Sequence, residues 1–155
     1  MLREGDMLPD VNLLGADGAP IRLADYRGKP LVVYFYPKAD TPGCTTEAID
    51  FTGLIDEFVA LGVPVIAVSK DPVAKLERFA EKHSLAVTLA SDEDGSVCAA
   101  FGTWVEKNLY GRKYMGVARA TFLADAQGKL VHVWPRVRVK GHAAQVLEAA
   151  TRALQ

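Results

Sequence analysis

Leu31-Val-Val-Tyr-Phe-Tyr-Pro37-Lys-Ala-Asp-Thr41-Pro-Gly-Cys44-Thr-Thr-Glu47 decides how the chain folds. Residues 31–36 form an unbroken apolar and aromatic run closed by a proline, the pattern of a strand buried on both faces. After the loop 38–43, Phe51, Leu54, Ile55 and Phe58 recur at i, i+3, i+4 and i+7, and Gly62 supplies a stop. This spacing predicts an amphipathic helix from about Cys44 to Leu61, with Cys44 in its first turn.

Working outward, Val63–Ser69 reads as a second buried strand. Asp71-Pro72 reads as an N-cap and an N1 proline opening a helix with the stripe Val73, Leu76, Phe79 and Ala80. Val87–Ala90 predicts a short strand, and Val97, Ala100 and Phe101 a brief helix ended by Gly102. Upstream, Val11–Leu14 and Pro20–Leu23 flank Gly15-Ala-Asp-Gly18 as a hairpin ahead of the main sheet. Downstream, Lys113–Ala124 and Lys129–Trp134 flank Asp125-Ala-Gln-Gly128 as an antiparallel hairpin, and Gly141 to Ala153 predicts a closing helix. Parallel βαβ first, then an antiparallel hairpin and a last helix, is the plan of an α/β, thioredoxin-like fold with a mixed sheet flanked by helices. At 155 residues the chain is expected to form one domain, 1–155.

Eighteen basic and nineteen acidic side chains leave a formal charge of −1, so nothing in the charge balance points to a nucleic acid or an anionic membrane surface. The opening residues lack a signal-peptide core and the longest apolar runs fall short of a bilayer span, so a cytoplasmic location is expected. His83, His132 and His142 form no ligand pair, there is no CxxC, and neither GxGxxG nor GxxxxGK occurs. No metal, nucleotide, flavin or haem is therefore implied, and a thioredoxin-type disulfide reductase is disfavoured.

With only two cysteines in the chain, each is judged singly. Cys44 sits where a buried strand passes through a proline-bounded loop into a helix N-terminus, and unpaired N–H groups there favour an anionic sulfur, the nucleophilic form of a thiol. The other reading is a small buried hydrophobe, as many free cysteines are. Thr41 can turn its hydroxyl toward the sulfur, and Pro37 and Pro42 restrict the loop. Glu47 reads as a first-turn carboxylate supporting the loop through Lys38 or another base.

Pro37-x-x-x-Thr41-x-x-Cys44 resembles the active-site pattern of the peroxiredoxin superfamily in full. The longer Thr41-Pro-Gly-Cys44-Thr-Thr-Glu47-Ala run is similar to its bacterioferritin comigratory protein, or peroxiredoxin Q, branch. Gly5-Asp-x-x-Pro9, Tyr34-Phe-Tyr-Pro37, Val68-Ser-Lys-Asp71, Phe101-Gly-Thr-Trp104 and Arg119-Ala-Thr-Phe-Leu123 carry the likeness over nearly the whole chain. The resemblance implies a thiol-dependent peroxidase acting on hydrogen peroxide and organic hydroperoxides. Cys44 is then the attacking thiolate, Thr41 and Arg119 contact sulfur and peroxide, and Pro37 shields them. It further implies recycling by thioredoxin or another thiol, and a monomer. A peroxide sensor or redox relay using the same cysteine without high turnover is the alternative.

The chain departs from that branch at the resolving thiol. Ile49 stands five residues after Cys44, and 73–83 contains no cysteine. Cys98, on a short apolar helix, is either a buried hydrophobe or the resolving partner of an oxidised Cys44. The first reading, with an external thiol reducing the sulfenic acid, is the expected one.

Overall fold

The computed structural model describes residues 1–155. Its frame is a seven-stranded sheet. In chain order the strands are β1 (Asn12–Gly15), β2 (Pro20–Arg22), β3 (Leu31–Phe35), β4 (Val65–Ser69), β5 (Thr88–Ser91), β8 (Ala120–Ala124) and β9 (Leu130–Trp134). The spatial order is β2-β1-β5-β4-β3-β8-β9. The inner strands β3, β4 and β5 are parallel, and both flanks are antiparallel. The thioredoxin-like mixed sheet expected from the sequence is present, and the N-terminal hairpin extends it through pairing of Leu14 and Gly15 with β5.

Alternation along each strand sends successive side chains to opposite faces and makes two cores. Val32, Tyr34, Ala67, Leu89 and Leu123 face one cluster. It is covered by α1 (Pro42–Gly53), α2 (Ile55–Leu61), α3 (Val73–His83) and α5 (His142–Ala153). Val33, Phe35, Ile66, Val68, Ala90 and Phe122 face the other, with α4 (Ser96–Phe101) and the N-terminal hairpin against them.

Three local readings are corrected. The helix expected from Cys44 to Leu61 starts at Pro42 and breaks at Leu54, where φ −106° and ψ 4° end α1 and begin α2. Gly53, which disfavours helix by about 1 kcal/mol relative to alanine, precedes the break, and Phe51 and Phe58 still meet in the core at 6.0 Å. Gly62 stops α2 at φ 71°, a left-handed geometry that favours glycine.

The strand expected over Lys113–Ala124 is two strands. Arg112–Val117 (β7) pairs with Trp104–Leu109 (β6) in a separate two-stranded hairpin, and the main sheet resumes only at Ala120. The Ala118 N–H donates to the Thr103 carbonyl at 2.7 Å and the Val137 N–H to the Arg119 carbonyl at 3.0 Å, so the crossing residues Ala118 and Arg119 are tied to other segments.

Asp71 does not cap α3. Pro72 holds the cap position with extended angles, and the Asp71 carboxylate turns to the loop before Cys44. It accepts the Ala39 N–H at 2.7 Å and the Ser69 hydroxyl at 2.8 Å, both buried bonds.

Candidate active site

The active loop is fixed at both ends before the thiol is reached. Pro37 follows β3, half-buried, and without an N–H it cannot continue the ladder. Ala39 is tied to Asp71. Asp40, a non-glycine residue at φ 62°, is held by His83 Nε2 at 2.8 Å and Lys82 Nζ at 2.9 Å, both from the end of α3. Paired charge thus maintains a backbone conformation that side-chain-bearing residues rarely adopt. Thr41 is the α1 cap residue and Pro42 its N1 residue.

Cys44 follows in the first turn of α1, with 2% of its surface exposed, in the cluster that holds Tyr34 and Phe51. The two rings stack at 4.6 Å and make its surroundings apolar. Arg119 reaches in from the crossing between β7 and β8. Its Nη2 donates to Cys44 Sγ at 3.3 Å, and its Nη1 to Glu47 Oε1 at 2.8 Å. Because the guanidinium is planar, fixing Nη1 on a carboxylate also fixes the direction of Nη2. Glu47 is therefore the orienting partner of Arg119 and not of Lys38.

The electrostatics follow from this pairing inside a low-dielectric wall. Burial pushes the Glu47 carboxyl up to about 7, against the lowering pull of Arg119. Burial also works against the Arg119 charge, but Cys44 and Glu47 outweigh it and hold the guanidinium above its ordinary value. Glu47 Oε2 and the Tyr34 hydroxyl are buried beside this pair without a hydrogen-bond partner of their own. A guanidinium held on a buried sulfur can meet the negative charge that grows on a leaving oxygen.

The Thr41 hydroxyl donates to the Lys38 carbonyl at 2.8 Å. Its proton is engaged within the loop, leaving its lone pairs as acceptors. Gly43 is part of the site although the sequence expectation does not include it. An ideal Cβ there would stand 3.2 Å from Arg119 Nη2, so its bare backbone gives the guanidinium its seat. A glycine directly before the cysteine was the available signal.

Cys98 is apart from all of these. It is fully buried in the other core cluster, across the sheet from Cys44, and both thiols are free. Burial, helped by the Asp92 carboxylate, pushes its thiol up to about 12. Its N–H donates to Asp92 Oδ2 at 2.7 Å, which anchors the start of α4.

Comparison with known proteins decides the lineage of this arrangement. The model of the AhpC/TSA family matches residues 5–133. The chain belongs to the AhpC/TSA family. Within it, the chain is 44% identical over 144 residues to the peroxiredoxin Bcp of Bacillus subtilis, covering 93% of this chain and 92% of that one. It is 45% identical over 141 residues to that of Escherichia coli K12, covering 91% and 90%. The bacterioferritin comigratory protein of Xanthomonas campestris, whose trapped intermediate and ligand complex structures concern alkyl peroxide reduction, superposes with a TM-score of 0.92. That match is at 39% identity and covers 99% of this chain and 100% of that one. This AhpC/TSA member is a peroxiredoxin of the Bcp, or peroxiredoxin Q, branch, as its motif predicted, and a thiol-dependent peroxidase. No helix in it is long and apolar enough to cross a membrane.

Proposed function

We propose that this peroxiredoxin reduces hydrogen peroxide and alkyl hydroperoxides by a one-cysteine route centred on Cys44. The observation that carries the reading is the Arg119 fork, with Nη2 at 3.3 Å from Cys44 Sγ and Nη1 fixed by buried Glu47. The Cys44 thiolate attacks one peroxide oxygen, the O–O bond breaks, and the sulfur becomes a sulfenic acid. The departing alkoxide or hydroxide takes a proton to leave as alcohol or water. Arg119 stabilises the thiolate and then the leaving oxygen. Thr41, through its free lone pairs, accepts a hydrogen bond from the hydroperoxide O–H, and Pro37 and the clamped loop keep water away.

The sulfenic acid returns to the thiol through thioredoxin or a small thiol. The opposite-face position of Cys98 supports this route, because a disulfide needs Cα atoms within about 7 Å. The chain acts as a single-domain monomer in the cytoplasm. The decisive experiment is stopped-flow oxidation by hydrogen peroxide and cumene hydroperoxide with sulfenic-acid trapping. Wild type gains one trappable oxygen at Cys44 and Cys44→Ser none; retained peroxidase activity in Cys44→Ser would refute the mechanism.

A further inference from the structure

A cavity of about 580 Å³ opens beside the site, with Arg119 as the wall it shares with the Cys44 sulfur. Its other walls include Val105, Glu106 and Lys107 of β6, and Arg136 and Val137 after β9. The Val137 N–H bonded to the Arg119 carbonyl holds Arg136 to this rim. The volume lies within the roughly 300–1,000 Å³ range of small-molecule sites and far exceeds the ~30 Å³ of a water-sized molecule. Hydrogen peroxide alone would leave most of it empty.

The charges on this cavity are unbalanced. Lys107, Arg119 and Arg136 face a single acid, Glu106, and the Glu106 carboxylate lies 3.9 Å from Lys113. Arg119 has its own partner in Glu47, which leaves Lys107 and Arg136 with no ion pair. Lys107 is also half-buried, its stem lying over Gly116, where an added Cβ would come within 3.2 Å of Cδ. Burial first, and the Arg119 charge second, lower its pKa, while the Cys44 charge raises it. Two unpaired cations beside a third, on apolar walls, form a receptor for an anionic group attached to a larger body.

We infer that this cavity binds the carboxylate of a small thiol, between Lys107 and Arg136, and presents its sulfur to oxidised Cys44. The inference rests on the one-cysteine reading above, since Cys98 lies across the sheet and the reducing equivalents must come from outside. The bound thiolate attacks the sulfenic sulfur, a mixed disulfide forms, and the hydroxyl takes a proton to leave as water. A second molecule of the same thiol attacks the mixed disulfide, releasing the symmetrical disulfide and the Cys44 thiolate. Two thiols are oxidised for each sulfenic acid reduced.

The test measures reduction of Cys44 sulfenic acid, formed with one equivalent of hydrogen peroxide, by glutathione, 2-mercaptoethanol and cysteamine. These carry net negative, zero and positive charge, and each rate constant is expressed per thiolate. Wild type is expected to prefer glutathione over cysteamine, and Arg136→Glu, at an exposed position, to lower that preference by about tenfold or more. Arg136→Lys should keep most of it, and high salt should erase it. The ratio is taken within one protein, so a general change in reactivity cancels. An unchanged ratio in Arg136→Glu overturns the site, as does a loss confined to the oxidation step with a carboxylated hydroperoxide. Intact mass separates the two levels of failure: a protein that loses two hydrogens on oxidation refutes the one-cysteine reading itself, whereas a stable sulfenic acid without charge preference refutes only the cavity.

Discussion

Cys44 and Cys98 lie on opposite faces of one sheet, the first in the cluster of Tyr34 and Phe51, the second in that of Val33 and Phe122. To meet, one would have to leave its core and pass around β3, β4 or β5. Peroxide-treated protein is therefore expected to gain one oxygen in intact mass, with no internal disulfide. Cys98→Ala should keep turnover with an external thiol within about a factor of two, and lose about 1–2 kcal/mol of stability through the small cavity left behind.

Arg119→Met removes the only guanidinium on the sulfur, and the rate constant with peroxide should fall by about 10²–10³-fold. Arg119→Lys keeps charge without the fork and should recover only part of the loss. Gly43→Ala should slow the same step by pressing on Nη2, with little change in melting temperature. Single-turnover stopped-flow kinetics measure all three, and an unaltered rate in Arg119→Met would exclude its catalytic role.

Asp71→Ala leaves the Ala39 N–H and the Ser69 hydroxyl without their buried acceptor. Urea denaturation should reveal a loss of about 1–3 kcal/mol. A slower peroxide reaction should accompany it, because the loop before Cys44 loses one of its two clamps.

Glu47 and His142 should bend the pH–stability curve in opposite directions. Burial raises Glu47 from 4.5 to about 7, so the native protein binds more protons than the unfolded chain between those values. Its contribution is present below about 4.5 and is lost as pH rises toward 7. Burial lowers His142, whose Nε2 meets the Thr121 hydroxyl at 2.7 Å, from 6.5 to about 4. Its contribution is present above 6.5 and is lost as pH falls toward 4. Relative to wild type, Glu47→Gln should therefore gain stability as pH rises from 4.5 to 7, and His142→Asn as it falls from 6.5 to 4. Urea titrations across about pH 4–7.5 check both slopes, and flat differences would contradict the assignment.

The elements legible in the sequence were those whose signal is local. The run 31–36, the helical spacing after it and the Gly62 stop each lie within a few residues, and the cysteine at the head of α1 could be seen from them. The break at Ala118 and Arg119 carries no proline or glycine at the crossing itself, so 113–124 looked continuous; only the distant partners Thr103 and Val137 interrupt it. Glu47 was noticed, yet its partner stands 72 residues away in sequence, where no spacing rule reaches. Asp71 departs from its local signal for the same reason: a cap motif is local, and the Ala39 N–H that captures its carboxylate is 32 residues away.

The β6–β7 hairpin meets the rest of the molecule near its base, while its tip, Leu109-Tyr110-Gly111, stands in solvent, with Tyr110 fully exposed. Length added at that tip changes neither the register at Trp104↔Val117 nor the pinned crossing that carries Arg119. Evolution or an engineer can therefore lengthen, graft or tag this arm while the chemistry at its root stays in place.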